Sequence, residues 1–220
     1  MIDAILLYGS RARGDGDQGS DTDLLGVTKF GKIRKPYDQS GVSFHIYPEV
    51  WLRSSAAGGS IFLLHLVSEA KVIFDPNFVF SEIRSAFKYK ESYVEEIEVG
   101  CRVISALRYI KGIEFTNRLR RRYFWGLRTA LMAAGAQKRT PCFSGSSLEK
   151  MSEILGLEEH IKAREIASFV ECKEFAEKVL EYCRAEANFS DFEDREENLR
   201  ALLAKSGMAS LVGAEILYGD

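Results

Sequence analysis

Four residues near the start of the chain have the types and spacing to handle a polyphosphate together with a hard cation. They are Gly9 and Ser10 and, after ten intervening residues, Asp21 and Asp23. An apolar run over residues 2–8 leads into Gly9, so the pattern reads as a strand that ends in a tight turn. Glycine lets the backbone approach a phosphate with no β-carbon in the way. The N–H groups after it and the Ser10 hydroxyl can donate to phosphate oxygens. Asp21-Thr22-Asp23 opens a second strand, where alternation sends the two carboxylates to one face. Two carboxylates so placed can share a magnesium ion whose other ligands are water and triphosphate oxygens. Arg11 and Arg13 stand where they can add positive charge to the same phosphates. Turn composition alone also enriches glycine, serine and aspartate in loops. The number of positions that agree favours the chemical reading.

The run from Leu6 to Gly14, continued through Ser20-Asp21-Thr22-Asp23-Leu24-Leu25, resembles the nucleotidyltransferase domain of the DNA polymerase beta superfamily, in the branch with minimal and antibiotic nucleotidyltransferases. That family's Gly-Ser, ten residues, Asp-x-Asp pattern is met by Gly9, Ser10, Asp21 and Asp23, and the flanks Arg11-Ala12-Arg13-Gly14 and Ser20 to Leu24 match as well. The resemblance covers about residues 2–30 and weakens through residue 75. It implies a magnesium-dependent transfer of a nucleoside monophosphate from a nucleoside triphosphate to an acceptor hydroxyl, with loss of pyrophosphate. Asp21 and Asp23 would hold Mg2+, with two ions possible, while Gly9, Ser10, Arg11 and Arg13 would bind the nucleotide. ATP is the family-level expectation for that nucleotide. The acceptor is a small molecule, a protein or RNA, and a protein partner is a further expectation.

The family also places a third carboxylate on a later strand beside the Asp-x-Asp strand. Residues 42–47 alternate, and if Val42, Phe44 and Ile46 face the core, the site receives Ser43, His45 and Tyr47. None is a carboxylate. His45 is therefore the expected occupant of the third position, able to act as a base near neutral pH but poorly suited to magnesium. Glu49 shares its parity, yet Pro48 turns the chain first. A second reading follows: a catalytically impaired nucleotidyltransferase-fold protein that binds without turnover, as an antitoxin-like or regulatory partner.

The elements expected to position these residues fall in two parts. Strands over residues 2–8, 23–30 and 42–47, helices over 48–56 and 61–69, and a returning strand over 71–74 make a small mixed sheet with flanking helices. Beyond Pro76 the apolar period changes from two to about 3.6, which predicts helices over about 89–111, 115–134, 146–155, 158–184 and 191–217. Gly135 is read as the stop of the second of these. The expected fold class is α+β: a nucleotidyltransferase domain over 1–78 and an all-helical bundle over 79–220 as the substrate side.

With 46% hydrophobic and 28% charged residues the chain reads as an ordinary folded protein, and its formal net charge of −2 supplies no global pull toward nucleic acid or acidic membranes. The first residues are too short an apolar run for a membrane span and lack a basic start, so a cytoplasmic location without membrane attachment is expected. Cys101, Cys142, Cys172 and Cys183 are widely spaced and read as free, mostly buried thiols. Arg118, Arg120, Arg121 and Arg122 precede Tyr123, Phe124 and Trp125, which reads as a solvated helix face beside a packed one in preference to a nucleic-acid grip. Arg128 is a candidate for the cleft between the two parts, and His65 and His160 read as packing or surface residues.

Overall fold

The computed structural model describes residues 1–16, 20–33, 37–106 and 115–187. It is an α+β protein with a five-stranded mixed sheet, and helices run along most of the other described residues. The chain divides into two compact units, Met1–Glu91 and Ser92–Asp220.

The first unit is built on the sheet order β3-β4-β2-β1-β5. β1 (Ala4–Tyr8) runs antiparallel to both β2 (Thr22–Thr28) and β5 (Lys71–Phe74). β2 pairs in parallel with β4 (Val42–Pro48), and β3 (Tyr37–Gln39) returns antiparallel along β4. The five-residue helix α1 (Gly9–Arg13) follows β1 directly. α2 (Glu49–Ala57), α3 (Ile61–Glu69) and α4 (Val79–Ser85) supply Leu52, Ala56, Leu63, Leu66, Phe80 and Ile83 to a core shared with Ala4, Leu6, Leu25 and Val27. Each leucine buried there contributes about 1.5–3 kcal/mol of transfer free energy.

That core corrects the expected orientation of β4. Residues paired directly across strands share a face. Ser43, His45 and Tyr47 pair with Asp23, Leu25 and Val27, so they lie on the core face, and Tyr47 packs against the cluster. Val42, Phe44 and Ile46 take the opposite, half-exposed face, where the Phe44 ring covers Gly26 so closely that a β-carbon at position 26 would stand 2.8 Å from Cζ. The site residues and the core thus occupy one face, divided along the strands: polar at the Asp23 end, apolar at the other.

Two elements absent from the sequence reading have local causes. β3 exists because Ser40 and Gly41, both at positive φ (50° and 74°), form the two-residue hairpin loop whose twist suits flanking strands. α4 starts because Asp75 caps it, its carboxylate accepting from the Val79 and Phe80 amides at 2.8 and 3.0 Å.

The described residues of the second unit are helical: α5 (Val94–Ser105), α6 (Asn117–Gln137), α7 (Gly145–Ser152), α8 (Leu157–Lys162) and α9 (Phe169–Ala187). α5 and α6 pack backbone to backbone. A β-carbon on Gly100 would lie 2.5 Å from the Ala130 nitrogen, and one on Gly126 would lie 2.7 Å from a Val103 methyl. The helix expected to stop at Gly135 runs on to Gln137, because Gly135 serves close approach instead: a β-carbon there would lie 2.9 Å from the Thr140 carbonyl oxygen. The single helix expected over 158–184 is two. Ser168 and Glu171 form a reciprocal cap, Glu171 N–H to Ser168 Oγ at 3.2 Å and Ser168 N–H to Glu171 at 2.7 Å, and this starts α9 afresh. The helix expected over 191–217 lies outside the described residues.

Candidate functional site

β1 delivers the chain to Gly9 at the Asp23 end of the sheet, where Tyr8 is paired with Asp23. Gly9 has φ +73°, and a β-carbon there would stand 2.6 Å from the Asp23 Oδ2. The carboxylate therefore lies directly over the turn that the glycine makes. Gly14, at φ +88°, caps α1, and its N–H donates to the Ser10 carbonyl at 2.9 Å. The chain then folds back. A β-carbon on Gly16 would meet the Ser10 Oγ at 3.3 Å, and the Arg11 guanidinium donates to the Ser20 carbonyl at 3.1 and 2.8 Å. Arg11 thus ties α1 to Ser20, two residues ahead of β2.

Arg13 is directed elsewhere. Its guanidinium donates to Asp15 at 3.0 Å and to Glu69 at 2.8 Å, within 3.4 Å of the His65 Nε2. Glu69 also accepts from His65, at 2.9 Å and four residues along α3. Burial opposes ionisation of Glu69, but the hydrogen bonds from His65 and Arg13 prevail and hold its carboxyl below the usual carboxylate range. His65 is therefore no unpartnered packing residue. The His-x-x-x-Glu spacing in the sequence is the signal that identifies it.

Asp21 is exposed and precedes β2 by one residue. It stands by the β3–β4 turn: the Thr22 N–H donates to the Gly41 carbonyl at 2.7 Å, and a β-carbon on Gly41 would lie 3.9 Å from the Asp21 Oδ1. Ser43, rather than His45, is the β4 residue paired with Asp23; His45 comes two residues further along the same face. The His45 Nε2 is 3.0 Å from the Ser43 Oγ, and Ser43 in turn donates to Asp38 on β3. Glu49 has left this face, opening α2 with its carboxylate on Arg53 at 2.6 Å. Beyond His45 an aromatic group closes the strand, with Tyr47 stacked on Trp51 at 5.0 Å and against Phe62 at 5.4 Å. The Tyr8 ring meets the His45 and His65 rings edge-on at 6.4 and 6.1 Å.

Asp21 and Asp23 are the residues that could hold a metal ion. Their donors are oxygens, which suits magnesium better than a softer cation. Among the described residues no three His, Cys, Asp or Glu side chains are grouped for a metal ion. Such an ion would need phosphate oxygens and water to complete its shell.

No protein-family profile matches the chain, and no curated protein matches it. Among solved structures it is similar to a nucleotidyltransferase-like protein from Exiguobacterium sibiricum 255-15, with a TM-score of 0.34 and 14% identity, over 99% of this chain and 72% of that one. A likeness at that level bears no weight for chemistry, which has to rest on the geometry above.

The remaining candidates lie in the second unit. Tyr123 and Phe124 are buried, so they present no rings for base stacking. Arg120 donates to the Ala167 carbonyl at 2.9 Å, and Arg128 donates to the Phe143 carbonyl at 2.8 Å. His160 is a core residue, stacked on Phe175 at 4.1 Å with its Nε2 2.9 Å from the Tyr123 hydroxyl; burial pushes its pKa down to about 4. Cys101, Cys172 and Cys183 are buried free thiols and Cys142 is half-buried. Among the described residues no single helix is long and apolar enough to cross a membrane.

Proposed function

We propose that the protein is a magnesium-dependent nucleotidyltransferase that moves a nucleoside monophosphate from a nucleoside triphosphate, with ATP the first choice, to an acceptor hydroxyl. The observation that carries this reading is the contact of Asp23 with Gly9. A turn without a β-carbon and a carboxylate lie against each other at one sheet end, which puts a candidate magnesium ligand next to the turn that would bind phosphate. The Gly-Ser, ten residues, Asp-x-Asp resemblance, which includes both of these residues, supports it as well.

In this reading the Gly9-Ser10 backbone and the Ser10 hydroxyl bind phosphate oxygens, and Asp21 and Asp23 hold Mg2+. Bound there, the ion would offset charge on the phosphates as the α-phosphorus is attacked. Arg11 ties α1 to Ser20, ahead of β2, and Arg13 anchors α1 to α3 through Glu69. The acceptor oxygen forms its bond to the α-phosphorus while the bond to the β-phosphate oxygen breaks, and the acceptor proton passes to a base, for which His45 is the candidate. The acceptor remains a small molecule, a protein or RNA.

The second reading, a nucleotide-binding partner or regulator without turnover, draws on one observation: β4 presents Ser43, His45 and Tyr47, and no carboxylate, on the face that carries Asp23. Incubation with α-phosphate-labelled triphosphates, Mg2+ or Mn2+ and candidate acceptors separates the two. Labelled product lost in Asp21→Asn and Asp23→Asn is expected for the enzyme. Nucleotide binding with no product in any acceptor pool would leave the binding reading.

A further inference from the structure

One row of residues crosses four strands at the Asp23 end of the sheet. Tyr8 pairs with Asp23, Asp23 with Ser43, and Ser43 with Asp38, so all four share a face. The electrostatics agree: burial raises the Tyr8 phenol pKa, and the negative charges of Asp23 and Asp38 both act in the same sense. A carboxylate therefore does stand on this face one strand beyond β4, contributed by the β3 hairpin.

Its hydrogen bonds fix a proton. An ionised aspartate only accepts, so the single Ser43 hydroxyl hydrogen points to Asp38. The Ser43 Oγ can then only accept from the His45 Nε2, 3.0 Å away, and that nitrogen must carry the hydrogen. The imidazole lone pair is left on Nδ1.

We propose that Asp38 and Ser43 are positioning residues that hold His45 as its Nε2–H tautomer, with Nδ1 as the acceptor of the proton released by the attacking hydroxyl. The inference rests on the transferase reading of the site. During transfer the acceptor O–H bond breaks, its proton goes to the His45 Nδ1, the oxygen bonds to the α-phosphorus, and pyrophosphate leaves with the electrons of the broken P–O bond. The imidazolium is then stabilised through Nε2–H to Ser43 and on to Asp38. The arrangement supplies in a relay what the absent β4 carboxylate would supply directly, and it adds no metal ligand.

The test uses the full chain and two readouts. With three histidines in the sequence, the imidazole nitrogen NMR spectrum is assigned by substitution, and His45 is expected as the Nε2–H form. Asp38→Ala and Ser43→Ala should shift His45 to a mixture of tautomers without altering His65 or His160, and Ser43→Thr, which keeps the hydroxyl, should restore the single form. In the labelling assay Asp38→Ala should lower kcat by about 10-fold or more, with KM for the triphosphate unchanged. A His45 spectrum indifferent to both alanine variants overturns the relay, and an altered tautomer with unchanged kcat overturns its role in transfer. If the unmodified protein binds nucleotide but transfers nothing, the transferase reading fails, and the spectrum alone decides whether the relay exists.

Discussion

The Asp23 carboxylate sits against the Gly9 backbone so closely that a β-carbon on residue 9 would stand 2.6 Å from Oδ2. Gly9 is required twice, for this contact and for its φ of +73°. In Gly9→Ala the left-handed conformation costs about 1–2 kcal/mol, and Asp23 must also move. Nucleotide affinity, measured by calorimetry with Mg2+, is expected to fall by about 10-fold or more. Wild-type affinity would mean that the seating of Asp23 on the turn is irrelevant to binding.

Glu69 carries both Arg13 and His65, with 18% of its side chain exposed. Glu69→Ala should destabilise the protein by about 1–3 kcal/mol in urea, between the values typical of exposed and buried pairs. Arg13→Ala combined with Glu69→Ala should cost less than the sum of the two, because both remove one interaction.

The same pair sets an acid dependence. The folded Glu69 carboxyl lies below its ordinary value of 4.5, so its contribution is complete above that pH and disappears as pH falls through the folded pKa. The stability gap between the wild type and Glu69→Gln should therefore narrow in acid. A gap that is constant from neutral pH to below the carboxylate range would count against the pair.

His160 predicts a second, higher window. Its pKa falls from 6.5 to about 4 on folding, first because burial disfavours the imidazolium. The unfolded chain binds the proton first, so stability should decline between pH 6.5 and about 4, by about 3 kcal/mol at 1.36 kcal/mol per unit. Below that window both states are protonated and the loss stops. His160→Gln, which keeps an acceptor for the Tyr123 hydroxyl, should flatten the decline in a pH series of urea melts.

Gly100 tests the helical unit. A β-carbon there would press on backbone, 2.5 Å from the Ala130 nitrogen and 2.6 Å from the Gly126 carbonyl oxygen. Neither can rotate away, so Gly100→Ala should cost about 1–3 kcal/mol and lower Tm despite alanine's better helix propensity. An unchanged or raised Tm would show that α5 and α6 separate freely.

What was legible in the sequence is what depends on neighbours along the chain. The α3 and β5 spans follow from local apolar period and from the Gly58-Gly59 and Asp75-Pro76 breaks. The α+β class follows from the change of period beyond Pro76, although α4 still packs on the first unit's core. The Gly9 turn and the parity of Asp21 with Asp23 are local as well. Signals for β3 and for the start of α9 were also present, in Ser40-Gly41 and in Ser168-Phe169-Val170-Glu171, but short polar stretches carry little periodicity to mark them.

Tertiary structure alone decided which distant residues join that motif. Parity says that Ser43, His45 and Tyr47 share a face, but not which face holds the core; packing by α2, α3 and α4 turned that face inward. Register is a relation between strands, so only pairing could set Asp38 beside Ser43 and Ser43 beside Asp23. The directions of Arg11 and Arg13, one to the Ser20 carbonyl and the other to Glu69, were likewise settled by where Ser20 and α3 lie. Spacing along the chain sets which side chains lie on one face of a single element, whereas proximity across elements depends on how the sheet pairs and what its faces bury.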